Sequence, residues 1–227
     1  MWQNGGIVLA YFVSSVTELL ARIIVVFTAI SVHELSHGFV AYKLGDPTAK
    51  YAGRLTLNPM AHFDPIGALC MVLFGFGWAK PVPVNPMYFT DRKRDNALVA
   101  LAGPVSNLLL AFASTVLTAL FECFVHANFT NFITDFISLV LVQLAIVNIG
   151  FAVFNLIPFP PLDGSKILGA FLSYQNYNKL LMYERFGFPI LMLLSFTGVL
   201  GKILSIFISP LYAGWVWLLY TLINLFS

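Results

Sequence analysis

The residues of this chain that could do chemistry begin with the five from His33 to His37, which read His-Glu-Leu-Ser-His. Residues four apart on a helix lie on one face, one turn apart, so both imidazoles can reach a single metal ion. Glu34 follows the first histidine and can act as the base that activates a water molecule. The spacing therefore predicts a hydrolytic zinc site in which His33 and His37 are two of the ligands.

The residues around this motif are apolar, unlike those around such a motif in a soluble enzyme. Segments 23–32 and 38–42 carry no charged side chain and would suit a lipid environment. Ionisable groups at bilayer depth are costly and usually mark function. We therefore expect the site to lie inside a membrane.

The composition is that of a polytopic membrane protein. The chain has 227 residues, of which 59% are hydrophobic and 10% charged, whereas about a quarter are charged in soluble domains. It contains several long apolar runs rather than a single anchor. The net charge of +2 and the lack of a basic-aromatic repeat argue against a nucleic-acid partner.

The first apolar run, residues 7–44, is long for one crossing. As a helix it would extend about 57 Å, against a hydrocarbon core of about 30 Å. Part of it must therefore tilt, kink or lie at the interface. Gly45-Asp46-Pro47 should end it. Beyond that point, residues 53–57 alternate like a short strand, and the apolar run 66–79 is short enough to be re-entrant.

Further spans are predicted at 98–125, 136–157, 188–208 and 211–226. Gly103-Pro104 should interrupt the first of these, and Pro210 should separate the last two. The fold class is thus all-α, with about five to six transmembrane helices and a re-entrant or extended element between the first and second spans. We expect a single membrane-embedded domain over residues 1–227, with a catalytic core at about 20–170 and additional helices in 187–227.

The distribution of Lys and Arg predicts the orientation of the chain. If residues 66–79 return to their own side, ten of the twelve basic residues share one face, and the loop 122–135 has none. Cytoplasmic loops carry this excess. We expect a multi-pass cell membrane protein with His37 and Asp163 toward the cytoplasm and its N-terminus outside.

A catalytic zinc ion needs a third protein ligand and an open position for water. Acidic residues are scarce in this chain, and Asp163 lies at the end of the third span, in the Pro-rich segment 158–164. Irregular backbone at such a depth is tolerated only inside protein or against water. Asp163 is therefore the predicted third ligand, whereas Asp46 and Asp64 are predicted to be solvated loop acids.

The motifs resemble those of the site-2 protease family of intramembrane zinc metalloproteases. The resemblance rests on His33–His37, on Asn155-Leu-Ile-Pro-Phe-Pro-Pro-Leu-Asp-Gly164, and on two pieces similar to the compact bacterial branch, residues 77–86 and 103–107. It covers roughly residues 20–170. No polar stretch is long enough for the PDZ domain that many relatives carry, so gating of substrates by such a domain is not expected.

The resemblance implies one zinc ion per chain, bound by His33, His37 and Asp163. It implies that Glu34 activates the water and that Asn155 holds the scissile carbonyl or its oxyanion. The implied substrate is a transmembrane protein within the lipid bilayer, cut in or near its membrane span during regulated intramembrane proteolysis. The oligomeric state stays open.

Four further residues are candidates for contact with the substrate. A helical substrate must unwind before hydrolysis, and Arg54, Leu55 and Thr56 lie in the alternating segment. With residues 80–85 this segment could form an edge that pairs with the unwound chain by β-augmentation. Asn107 could contact the substrate or form an interhelical hydrogen bond.

Two other classes of function remain as alternatives. A membrane zinc transporter would explain intramembrane His and Asp residues, but it has no need of Glu34 and favours several ligand clusters along a path. A catalytically inactive membrane scaffold is the second alternative, and it is disfavoured because every catalytic position is intact.

Overall fold

The computed structural model describes residues 3–67, 70 and 77–226 of the chain, with side chains from residue 14 onward. Most of the described residues are helical, and none of them lies in a β-strand. Their α-helices are α1 (Gln3–Lys43), α2 (Thr48–Tyr51), α3 (Arg92–Phe121), α4 (Phe132–Leu156), α5 (Asp163–Phe171), α6 (Tyr174–Met182), α7 (Glu184–Phe196) and α8 (Val199–Phe226). A π-helical turn, Glu122–His126, extends α3.

In the described part of the chain, four helices are long and apolar enough to cross a membrane. They are Ser14–Lys43, Arg92–His126, Phe132–Leu156 and Val199–Phe226. The predicted all-α polytopic fold is confirmed, but these residues supply four such helices rather than five. The 13 residues of α7 would extend only about 20 Å, which is short of a bilayer core.

The break in the C-terminal region is not at Pro210, as the sequence predicted. Pro210 lies inside α8. The chain turns instead at Gly198, whose φ of 72° lies in the left-handed region that favours glycine. A proline removes only one backbone donor, and a long apolar helix can continue past it when the freed groups are satisfied nearby.

Pro104 does not interrupt α3 either, since the helix runs on through it. The Ser106 hydroxyl donates to the carbonyl oxygen of Gly103 at 2.7 Å, a local hydrogen bond within the turn that contains the proline. At the start of the helix, the Asp91 carboxylate accepts from the backbone N–H groups of Lys93 and Arg94, both at 3.1 Å. This N-cap fixes where α3 begins.

Helix α3 is the centre of the bundle and packs against α1, α4, α5 and α8. Small side chains line these contacts, and the wholly or nearly wholly buried ones include Ala21, Ala29, Ala100, Ala119, Ala145 and Ala152. Small residues let apolar helices approach closely, which is how helices associate in lipid. Close approach in turn brings the polar groups of α1, α3 and α4 within hydrogen-bonding distance.

Helix α8 joins this bundle through one buried aromatic residue. Trp215 packs against Ala111, Ala145 and Ile149, and its indole N–H donates to the Thr115 hydroxyl at 2.7 Å. Most of the rest of α8 faces outward, since only 6% of its apolar window is buried. The helix therefore contributes a lipid-facing surface and one anchoring point.

The connection between α1 and α3 contains two corrections to the sequence analysis. Residues 53–57 form a turn and bends, not a strand. Gly53 has a φ of 67°, and the Arg54 N–H donates to Ala49 O at 2.9 Å, so the backbone is satisfied locally. Asp46 is fully buried rather than solvated. Most of the predicted re-entrant run 66–79 lies outside the described residues.

Candidate metal centre and cavity

The structure brings His33, His37 and Asp163 together from two distant parts of the chain. The two Nε2 atoms lie 2.9 Å apart, and each lies 3.1 Å from Asp163 Oδ2. Two zinc ligands in a tetrahedral site are separated by about 3.3 Å, given metal–ligand distances of about 2.0–2.1 Å. The three atoms therefore form a triangle of nearly the right size for one face of such a site.

The outer nitrogen of each imidazole is held by an acceptor. His37 Nδ1 lies 2.7 Å from the carbonyl oxygen of Val99, and His33 Nδ1 lies 2.6 Å from Asn107 Oδ1. Both acceptors require the proton on Nδ1, which leaves the Nε2 lone pairs facing Asp163. Three electron-pair donors at this distance repel one another unless a cation lies between them, so the donor set fits a metal ion.

The charge at the third corner agrees with this assignment. The ammonium group of Lys166 lies beside Asp163 and favours the ionised carboxylate that a metal ligand must supply. Its two oxygens have different neighbours, because Oδ2 faces the imidazoles and Oδ1 lies 3.7 Å from Lys166 Nζ.

Glu34 lies on the same wall of the site and is held by a strap. We use this name for residues 80–86, an extended Pro-rich segment. The strap places Val82 between two prolines, so its backbone N–H is the single donor of that tripeptide. This N–H donates to Glu34 Oε2 at 2.7 Å. At the far end, Asn85 N–H donates to the buried Asp46 carboxylate at 2.6 Å, which anchors the strap beside α1.

A cavity of about 530 Å³ opens onto these groups. Its polar members include His33, His37, Glu34, Asn155, Asp163 and Lys166. Its other walls are mainly apolar and include Phe151, Phe154, Leu162, Leu191 and the edge-to-face pair Trp78–Phe188. A cavity of this size suits a short stretch of extended peptide or a small ligand.

Gly103 gives the histidines room. A Cβ atom there would lie 2.5 Å from His33 Cε1 and 2.5 Å from His37 Nε2, well inside van der Waals contact. Only glycine lets α3 approach the two imidazoles so closely. The Gly-Pro pair, which the sequence analysis interpreted as an interruption of the helix, thus forms the back wall of the metal centre.

The two predicted site asparagines differ in where they lie, since one lines the cavity and the other lies behind it. Asn155 lines the cavity, and its amide donates to Phe151 O at 3.0 Å. Asn107 is fully buried behind His33, and its amide donates to Ala29 O at 3.2 Å and to Asn148 Oδ1 at 2.6 Å. Asn107 is thus placed to hold a histidine and not to meet a substrate.

The other three candidate substrate residues, Arg54, Leu55 and Thr56, are not among those that line the cavity. Arg54 is buried and donates to Lys80 O at 2.6 Å. The carbonyl of Thr56 accepts from His62 at 2.9 Å, and Leu55 lies against Gly38. Arg54 supports the strap from behind through its hydrogen bond to Lys80 O, while its Nε has no hydrogen-bond partner among the described residues. Residues 53–57 therefore add no strand to an edge, and the pairing of the extended residues 80–85 with a substrate stays a prediction.

Sequence reasoning missed Val82, Val99 and Asn148. A signal for Val82 existed, because a donor isolated between two prolines is unusual. Val99 contributes only a backbone carbonyl, and Asn148 depends on helix register, so neither could be found from residue types alone.

A buried His-His-Asp group beside a glutamate, with the histidines on a helix long enough to cross a membrane and the aspartate after another such helix, is typical of a membrane metalloprotease. The chain belongs to peptidase family M50, whose model matches residues 21–194. This confirms the predicted site-2 protease family and the class of zinc metalloprotease.

Individual relatives agree with this family. The chain is 41% identical over 192 residues to YwhC of Bacillus subtilis, covering 83% of this chain and 84% of the relative. It is 31% identical over 180 residues to Rip2 of Mycolicibacterium smegmatis, covering 77% of this chain and 66% of Rip2. Both are named as candidate zinc metalloproteases. No solved structure matches the chain significantly.

Proposed function

We propose that this protein is an intramembrane zinc endopeptidase that hydrolyses a peptide bond within or near a transmembrane segment of another membrane protein. The convergence of His33, His37 and Asp163 at about 3 Å from one another carries the proposal. We assign these three residues as ligands of one zinc ion per chain. Zinc in such a site supplies Lewis acidity, which polarises a carbonyl group and activates a water molecule.

Glu34 is the proposed general base. Its carboxylate shares the cavity with the metal ligands, and the Val82 N–H fixes its orientation through Oε2. Oε1 can then take the proton of the attacking water and pass it to the leaving amine. A positioned acid–base group of this kind contributes about 10²–10⁴-fold to the rate.

Asn155 is the proposed partner of the scissile carbonyl. It lines the cavity near the third-ligand segment, where its side chain can turn from Phe151 O toward a bound peptide. An amide donor aimed at the developing oxyanion lowers the barrier. Lys166, on the same wall of the cavity, adds a positive charge that can also stabilise the oxyanion.

The substrate class follows from the surroundings of the cavity. Its walls come largely from apolar helices, and the strap presents Pro81, Val82 and Val84 along one side. A transmembrane helix hides its carbonyl groups, so the substrate must enter as a locally extended segment. Apolar side chains of such a segment suit the aromatic and aliphatic walls.

We place the active site on the cytoplasmic side of a bacterial cell membrane. With the spans described above, the ten grouped basic residues lie on the side that holds the strap and α5, and Lys202 at the start of α8 joins them. This excess is typical of cytoplasmic faces. Cysteine substitution at Lys50 and Asn128, followed by labelling with an impermeant thiol reagent in intact cells, tests the orientation.

Glu34→Gln is the decisive variant. We expect its zinc content to equal that of the wild type, whereas cleavage of a membrane-protein substrate falls by at least about a hundredfold. Comparing the membrane proteomes of wild-type and Glu34→Gln cells should show a single-span protein that accumulates uncut. A variant that keeps full turnover would refute the protease proposal. Undiminished zinc flux through vesicles would favour a transporter, and no change in any readout would favour a scaffold.

A further inference from the structure

Two asparagines form a wholly buried connection between the metal centre and α4. Asn107 on α3 and Asn148 on α4 are both 0% exposed. Asn107 lies 2.6 Å from His33 Nδ1 on one side and 2.6 Å from Asn148 Oδ1 on the other. Buried amides in lipid are costly unless their groups are satisfied, so this connection is a built feature of the interior.

Backbone carbonyls fix the direction of each amide. Asn148 Nδ2 lies 2.7 Å from Leu144 O, and Asn107 Nδ2 lies 3.2 Å from Ala29 O. A carbonyl oxygen can only accept, so the NH₂ group of each side chain must face its carbonyl. This leaves Asn148 Oδ1 facing Asn107 Nδ2, and it leaves Asn107 Oδ1 facing His33.

We infer that Asn148, acting through Asn107, fixes the tautomer in which His33 can bind a metal. The oxygen of Asn107 accepts only if His33 carries its proton on Nδ1, which leaves Nε2 with a free lone pair. A flipped Asn107 would present its NH₂ group to Nδ1 and drive the proton to Nε2. That tautomer cannot bind a metal through the nitrogen that faces His37 and Asp163.

Asn148 is therefore a positioning residue that touches neither substrate nor metal. It supplies one of the two acceptors that hold the amide of Asn107 in place, and Ala29 O supplies the other at the longer distance of 3.2 Å. Outer partners of metal-bound histidines tune affinity in this way. The inference rests on the proposed zinc site, since the tautomer matters only if His33 binds a metal.

Asn148→Leu tests this inference, because leucine has a similar volume but no acceptor. We expect zinc binding, measured by chelator competition in detergent, to weaken by about 10- to 100-fold. We also expect ¹⁵N spectra of histidine-labelled protein to show His33 shifting from the Nδ1–H toward the Nε2–H form. If the leucine variant does not fold, Asn148→Ala carries the same expectation.

Thr115→Val is the matched control. Thr115 is also fully buried on α3 and also makes a side-chain hydrogen bond to another helix, through Trp215, but it has no link to His33. The control should lower the melting temperature without changing zinc affinity or the histidine spectrum. The inference would be overturned if Asn148→Leu had the zinc affinity and the His33 spectrum of the wild type. It would also be overturned if Thr115→Val weakened zinc binding as much as Asn148→Leu does. A wild type that binds no zinc would instead refute the proposed function.

Discussion

In the described part of the chain, two histidine–carboxylate clusters lie about 35 Å apart along α3 and its π-helical extension, and only the first has ligand atoms that all lie close to one another. At the first, the ligand atoms of His33, His37 and Asp163 converge. At the second, His126 lies between two acids, with Nδ1 2.8 Å from Glu122 and Nε2 2.9 Å from Asp135. The residue types are nearly the same, but at the second cluster the two carboxylates lie on opposite sides of the imidazole ring and do not converge. We call it the divergent cluster.

The difference lies in what occupies the far side of each imidazole. At the metal centre, neutral acceptors hold Nδ1 and leave Nε2 free. At the second cluster, both ring nitrogens of His126 already contact carboxylates, so no lone pair remains for an ion. The second cluster is also more exposed, since the Asp135 side chain is 64% exposed, against 8% for Asp163. A metal site is thus defined by convergence and outer partners rather than by composition.

Removing one of the three proposed ligands should have the largest effect on zinc binding and cleavage. We expect His37→Ala to weaken zinc binding by more than about a hundredfold, beyond the usual effect of losing an outer partner, and to abolish cleavage. Metal content after gel filtration and a cleavage assay would measure this. Zinc retained at one equivalent would show that His37 is not a ligand.

A methyl group behind the site should have the next largest effect. The Cβ of Gly103→Ala would overlap both imidazoles, and overpacking of this kind costs about 1–3 kcal/mol. We therefore expect zinc affinity to fall by about 10- to 100-fold. Gly150→Ala is the control, because the nearest atom to its Cβ is 4.0 Å away. Equal zinc affinities in the two variants would contradict this account of the back wall.

A smaller effect should follow from loosening Glu34 while leaving the ligands alone. Val82→Pro removes the N–H that holds Oε2, and a hydrogen bond to a charged group contributes about 1.5–3 kcal/mol. We expect kcat to fall by at least about tenfold, with zinc content unchanged. Val82→Ala keeps the N–H and serves as the control. A similar loss of kcat in both variants would assign the effect to side-chain packing.

The smallest effect is expected at the divergent cluster. His126→Ala should leave zinc affinity and cleavage at wild-type values, because its contacts bind the end of α3 to the start of α4 and do not reach the metal centre. A modest fall in melting temperature is the expected consequence. A loss of zinc would mean that the two clusters are coupled through α3.

The position of a residue in the candidate site could be predicted where it depends on local spacing or on a motif, and not where it depends only on contacts between helices; the roles of these residues stay predictions. His33, Glu34 and His37 lie within one and a half turns of a helix, so their shared face could be predicted. Asp163 could be chosen because acids are scarce and the motif resembles a known family. The role of Asn148 depends on the register between α3 and α4, which no single sequence pattern specifies.

The wrong predictions have a common physical origin. Alternation over residues 53–57 indicated a strand, but a strand needs a partner strand. The Arg54 backbone N–H donates instead to Ala49 O, and its guanidinium donates to Lys80 O. Pro104 and Pro210 indicated helix breaks, but in long apolar segments the helix continues past a single missing donor. Proline is a weaker signal in membrane helices than in soluble ones.

The separation of the ligands along the chain has a consequence for biogenesis. His33 and Asp163 are 130 residues apart, so the ribosome completes the histidine pair long before it makes the carboxylate. A nascent chain that has inserted only its first three spans therefore lacks the third member of the proposed metal site. On the proposed function, such a chain would have no hydrolytic activity until the turn after the third span packs against the first.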